Sequence, residues 1–160
     1  MTKRIISAFF ILFYIVYAKE INFKETKYIY ALDNEFSKKG IIDFKKELIS
    51  LKYLNSEKTV SSDKEFIYIK EKGETKKYTK DEEVQYSIFF SVLKAVYEND
   101  LNGFSDNFKV KQTGETELIP NNDYLASVIE KIIFKKSPEK LKYMIIYFTN
   151  QDTIKIEQID

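Results

Sequence analysis

The chain has 160 residues, 44% hydrophobic and 32% charged, with 26 Lys+Arg against 25 Asp+Glu. That length holds one domain, the apolar fraction suffices for a core, and a net charge of +1 supplies no concentrated basic surface for nucleic acid. With no His and no Cys, imidazole bases, thiolate nucleophiles, disulfides and the common zinc sites are excluded, and the composition points away from an enzyme.

Residues 1–18 differ from the rest. Met1-Thr2-Lys3-Arg4 is a basic head, Ile5 to Ala18 is a charge-free apolar run, and Val16-Tyr17-Ala18 sets compact residues around a cleavage site. This is the pattern of a signal peptide cleaved after Ala18. The run is shorter than the roughly 20 residues that span a bilayer, which sets the alternative of an uncleaved anchor behind it. The expectation is an exported chain whose one domain covers residues 19–160. No Cys follows the run, so N-terminal lipidation is excluded.

The domain opens on strands. Ile21 to Asp33 reads as a long strand, with Tyr28, Tyr30 and Leu32 on one face and Phe23, Ile29 and Ala31 on the other, and Asn34 to Gly40 reads as a polar turn. Ile42 and Phe44 alternate with Asp43 and Lys45 in a second strand, Leu48 to Leu54 is a third, and Val60 sits in a short fourth. Glu65 to Lys72 and Glu74 to Tyr78 flank Lys72-Gly73 as a hairpin.

The period then changes. Thr79-Lys80-Asp81-Glu82 has the form of a capping box, and Asp81, Glu82 and Glu83 suit the positive end of a helix dipole. At about 100° per residue, Ser87, Ser91, Lys94 and Glu98 fall in one narrow polar stripe. Apolar residues cover most of the remaining circumference, about twice the arc that a helix lying on a sheet needs. Such a helix must bury two sides, the second against another helix, a partner or a ligand. Asp100 to Phe108, carrying Leu101, Phe104 and Phe108, offers a short covering helix.

Strands return after it. Phe108 to Thr113 and Glu115 to Ile119 flank Gly114, and Pro120 to Asp123 ends that hairpin. Val128 to Phe134 is apolar on both faces, and Leu141 to Phe148 more so, which predicts a central strand covered on both sides. Asn150-Gln151-Asp152 turns the chain into a last strand, Thr153 to Ile159. Short links between consecutive strands predict a mainly β, α+β fold with an antiparallel sheet.

No motif for catalysis emerges. Asp81, Glu82 and Glu83 are explained by the helix start, the paired lysines lie at turns and strand ends as edge protection, and no EF-hand loop, P-loop or GxSxG occurs. Neither a cofactor nor a metal is expected. An over-hydrophobic helix on a sheet instead suits an apolar cleft. Burying a sixteen-carbon acyl chain would supply on the order of 10 kcal/mol before ordering costs.

The order of motifs resembles the outer-membrane lipoprotein carrier (LolA-like) family, in a short related form. Phe23-Lys24-Glu25 with the run to Leu32 resembles its opening strand, and Gly40-Ile41-Ile42-Asp43-Phe44 its second. Asp100 to Phe108 resembles its helical turn, Leu118-Ile119-Pro120 its L-x-P strand end, and Asn150-Gln151-Asp152-Thr153 its G-D-x-T hairpin. The resemblance implies a curved, incompletely closed antiparallel barrel, a half-barrel with helices over an apolar concave face. It also implies a periplasmic carrier that shields lipoprotein acyl chains between the inner and outer membranes. Its implied partners are an inner-membrane release complex and an outer-membrane acceptor, with only transient membrane contact by a monomer. Lys45 or Lys46 stands where the family has a functional arginine, without the planar fork of Arg.

The expected lipid-binding residues are Ile42, Phe44, Leu51 and Tyr53 from the early strands, Phe89, Phe90, Leu93 and Tyr97 from the helix, and Met144 and Phe148 from the late strand. For each, ordinary core packing is the competing reading. The competing function is an exported, non-enzymatic interaction module that docks a partner through the helix or a sheet edge.

Overall fold

The computed structural model describes residues 19–98, 100–138 and 140–160. The signal peptide and its cleavage after Ala18 lie outside the described residues. Six strands come first: β1 (Lys19–Ile29), β2 (Asn34–Phe44), β3 (Ile49–Tyr53), β4 (Thr59–Ser62), β5 (Phe66–Glu71) and β6 (Glu74–Thr79). Helix α1 (Val84–Glu98) follows, then β7 (Phe108–Gln112), β8 (Thr116–Pro120), a four-residue α2 (Asp123–Ala126), β9 (Ile129–Lys136), β10 (Leu141–Phe148) and β11 (Thr153–Ile159).

All eleven strands form one antiparallel sheet in the order β6-β5-β4-β3-β2-β1-β11-β10-β9-β8-β7. Two meanders are therefore joined by their outermost chain segments, β1 pairing with β11 from Asn22↔Ile159 to Tyr28↔Thr153. Among the described residues no ladder joins β6 to β7, so the sheet is not closed. α1 is the link between those two edges.

One face of the sheet carries the core. Its inward residues line up across the ladders, as in Ile21↔Ile42, Ile42↔Leu51 and Leu51↔Val60 on one half, and Met144↔Phe134, Ile146↔Ile132 and Leu118↔Ile132 on the other. The spacings Leu141–Met144 and Ile129–Ile132 are odd, and strict alternation would turn one member of each outward. Register shifts at Leu141/Tyr143 and Tyr147/Phe148 absorb the extra residue and keep all four buried.

Four local expectations are corrected. The first strand stops at Ile29, and a 3-10 turn at Tyr30–Leu32, closed by Asp33 at φ 45°, makes the hairpin. Asn34 to Gly40 is not a turn but the first part of β2, paired with β1 out to Ile29↔Asn34. Its polarity reflects exposure of the ribbon's far end, and the turn itself is held by bonds that sequence spacing hides. Tyr28 OH donates to Asp33 Oδ1 at 2.9 Å and Tyr30 N–H to Asp152 Oδ1 at 2.9 Å. β10 is not covered on both sides. Leu141, Met144, Ile146 and Phe148 are buried, whereas Tyr143, Ile145 and Tyr147 lie half-buried on the other face. Asp100 to Phe108 holds only a 3-10 turn at Asn102–Phe104 before β7 begins, though Phe104 and Phe108 are both buried and meet edge to face at 5.9 Å. The short α2 was not anticipated. Asn122 caps it, accepting the Leu125 N–H at 2.9 Å.

Gly40 is sterically obligatory. It lies between Phe23 on β1 and Tyr53 on β3, and a Cβ there would fall 2.5 Å from both the Lys52 carbonyl oxygen and the Phe23 ring. The Phe23 ring thus occupies the space over the missing side chain and meets Tyr53 at 6.0 Å. Gly40→Ala should destabilise the fold by about 1–3 kcal/mol, as overpacking does, whereas Gly103→Ala, with nothing near its added Cβ, should change stability by less than about 0.5 kcal/mol. Urea denaturation of the two variants checks this.

Candidate functional site

The capping box read in the sequence forms. Thr79 N–H donates to Glu82 Oε2 at 2.7 Å, and Glu82 N–H donates back to Thr79 Oγ1 at 3.3 Å. The bond from the Thr79 N–H and another from the Thr79 hydroxyl, at 3.0 Å, hold the Glu82 carboxyl below its ordinary pKa. The box lies one turn ahead of the regular helix, and Ser87 N–H to the Glu83 carbonyl, at 2.9 Å, starts the α-helical ladder.

Along α1 the buried residues are Ile88, Phe89, Phe90, Val92, Leu93 and Val96. At about 100° per residue they span roughly 200°, the wide arc expected, and Val84, Tyr86, Ala95 and Tyr97 are half-buried at its margins. The sheet and the segment around Phe104 together bury both sides. At the C-terminal end, Lys136 Nζ donates to the Val96 carbonyl at 3.1 Å, a favourable place for a cation. Tyr97 OH donates to Gln158 Oε1 at 2.7 Å, an atom that also accepts the Leu141 N–H at 3.1 Å. Burial pushes the Tyr97 phenol up to about 12.

The structure brings the ten expected residues into one hydrophobic cluster between sheet and helix. Ile42, Leu51, Leu93 and Met144 are essentially inaccessible, and Tyr53, Phe89, Phe90 and Phe148 are buried. Phe44 and Tyr97 sit at the margin, half-buried, with ring centroids 4.9 Å apart. Tyr53 also reaches past the core, donating its hydroxyl to Glu25 Oε2 at 2.6 Å. Burial, and then the Glu25 charge, raise its pKa.

Two clefts flank the polar stripe of α1. The larger, about 670 Å³, has Phe44, Leu48, Ile49, Phe90 and Tyr97 among its walls. The smaller, about 460 Å³, runs between Ile88 and Ala95 on the helix and Phe104, Phe108 and Leu125 opposite. Lys80, Ser87, Ser91, Lys94 and Glu98 line both. Lys80 was legible only as part of a helix start. Its Nζ in fact crosses to the β4–β5 turn, donating to Ser62 Oγ and, at 2.8 Å, to the Asp63 carbonyl.

That turn is organised by the Asp63 carboxylate. Oδ1 accepts the Phe66 N–H at 2.7 Å and the Glu65 N–H at 2.8 Å, and Oδ2 accepts the Tyr68 hydroxyl at 2.8 Å. Burial alone would raise its pKa, but these bonds and the nearby Lys80 charge outweigh it and lower the value.

Compared with known families and curated proteins, the chain matches no family model and no curated protein.

A folded-state carboxyl held below its unfolded pKa contributes stability above the ordinary carboxylate range, and that contribution is lost as pH falls through the lowered folded value. Acidification below about pH 5 should therefore lower the wild-type melting temperature more steeply than that of Asp63→Asn. Melting curves by circular dichroism across that range check the slope.

Proposed function

We propose that the chain is an exported, non-enzymatic carrier that shields acyl chains, of lipoproteins or of free lipids, in the apolar space between its sheet and α1. The intended setting is the periplasm, with transfer from inner to outer membrane by a monomer that touches membranes only transiently. The observation that carries this reading is α1 itself, a helix set into an apolar sheet face with a cleft along each side of its polar stripe.

Shape supports it. Eleven strands at about 4.8 Å spacing would make a flat sheet roughly 50 Å across, whereas a helix with its side chains is about 10–12 Å wide. Yet buried residues occur from β5 (Ile67) round to β8 (Leu118), and the helix buries about 200° of its circumference. A curved, incompletely closed half-barrel wrapped around α1 reconciles the two. The helix then acts as a lid whose apolar side chains occupy the space an acyl chain would take. An acyl chain entering beside the helix replaces part of one apolar contact surface by another, so the net cost is far below the gross burial of the chain, on the order of 10 kcal/mol for sixteen carbons.

The competing interaction module has less support through the helix. Every apolar residue of α1 is buried or half-buried, which leaves a protein partner no exposed stripe to dock on.

Native mass spectrometry tests the carrier reading. The full chain is expressed in an exporting host and the product purified without detergent. Co-purified acyl species that a fluorescent fatty acid displaces are the expected result. An empty protein that also refuses the probe would contradict it.

A further inference from the structure

The two clefts beside α1 differ in charge. The larger is lined by six lysines, Lys19, Lys45, Lys46, Lys64, Lys80 and Lys94, against three carboxylates, those of Glu47, Asp63 and Glu98. In the smaller, Lys80 and Lys94 meet Asp81, Glu98 and Asp100. One cleft is therefore cationic and the other slightly acidic, although they share the helix stripe.

Of the six lysines of the cationic cleft, only Lys45 is in an ion pair among the described residues, and Lys80 is the one that is half-buried. Among the described residues no carboxylate lies within ion-pair distance of Lys80 or Lys94. Asp63 bonds Lys80 through its main-chain carbonyl, while its carboxylate, hydrogen-bonded to Glu65, Phe66 and Tyr68, acts on Lys80 only as a nearby charge. Lys45 by contrast is paired with Asp43 at 3.0 Å, and Lys19 lies over the Tyr97 ring at 4.4 Å. Burial, and the like charge of Lys94, lower the Lys80 pKa, with Asp63 opposing them. A half-buried ammonium beside a second cation is costly unless an anion joins it. Apolar walls continue from that point inward: Phe90 belongs to the buried cluster, and Phe44 and Tyr97 pack against it.

We propose that this larger cleft is a headgroup site for a single-chain amphiphile bearing one negative charge. Lys80 and Lys94 face the anionic head, and the acyl chain passes between Phe44, Phe90 and Tyr97 into the interior. The proposal rests on the carrier reading and adds the head chemistry that an apolar interior leaves open. A long-chain carboxylate and a lysophospholipid phosphate share that chemistry. Both give an ammonium a charge-assisted hydrogen bond, which a neutral glycerol ester cannot match.

Affinities of the exported chain for palmitate, lysophosphatidylglycerol and monopalmitoylglycerol, measured below their micelle concentrations at low salt, test it. Palmitate, lysophosphatidylglycerol or both should bind about ten-fold or more tightly than the neutral ester, and which of them does so identifies the head accepted. Lys80→Gln and Lys94→Gln should each remove most of that preference while leaving monopalmitoylglycerol within about two-fold. Lys94 is exposed, and among the described residues it makes no ion pair, so its variant keeps the test valid if Lys80→Gln unfolds. Equal binding of neutral and anionic amphiphiles, or a preference that survives Lys94→Gln and Lys80→Gln, overturns the headgroup site alone. If none of the three binds, the carrier reading falls and the site with it.

Discussion

The fold is organised by the need to bury an apolar arc of about 200° on one fifteen-residue helix. Leu93 and Val92 are wholly inaccessible and Phe90, Val96, Phe89 and Ile88 nearly so. At about 1.5–3 kcal/mol per fully buried large side chain, those residues alone contribute on the order of 10 kcal/mol as an upper estimate, comparable with the whole net stability of a domain. A flat sheet would cover only one side of such a helix. That burial is shared between the segment around Phe104 and the apolar face of the sheet, which the β1–β11 pairing makes continuous and the register shifts in β10 keep inward-facing.

The helix is also tied at both ends by polar bonds. Thr79 and Glu82 close its beginning, and Lys80 fastens that beginning to the β4–β5 turn. Lys136 and Gln158 hold its end through Val96 and Tyr97. Between these ties the contact is apolar and non-directional, the kind of surface that another apolar group can replace. Under the proposed carrier reading, these ends hold the helix while an acyl chain enters beside its middle. The cationic cleft runs beside the helix to its last turn, where the margin residues Phe44 and Tyr97 meet at a tilt.

Much of this was legible in the sequence. The hairpins at Lys72-Gly73 and Gly114, the capping box and the helix that follows all rest on local spacing, and local spacing survived folding. What was not legible depends on distant chain segments. The β1–β2 turn is fixed partly by Asp152, far along the chain. The half-exposure of Ile145 and Tyr147 depends on what packs on that face of the sheet rather than on the strand's own apolar run. The ten expected lipid-binding residues do assemble, because inward periodicity marks a core whatever it encloses. The lysine rim was hidden, since Lys80 reads as part of a helix start and Lys94 as part of a solvated stripe, and only the fold sets both beside one cleft.

On the proposed function, an acyl chain enters the apolar space between the sheet and α1. Photocrosslinking with a palmitate analogue carrying a diazirine at its methyl end tests that most directly, because the adduct reports where the chain tip lies. Adducts on Leu93, Phe89, Ile42 or Met144, lost on adding excess palmitate, are the expected result. Adducts confined to the outer face of β10, at Ile145 or Tyr147, or no competed adduct at all, would contradict it.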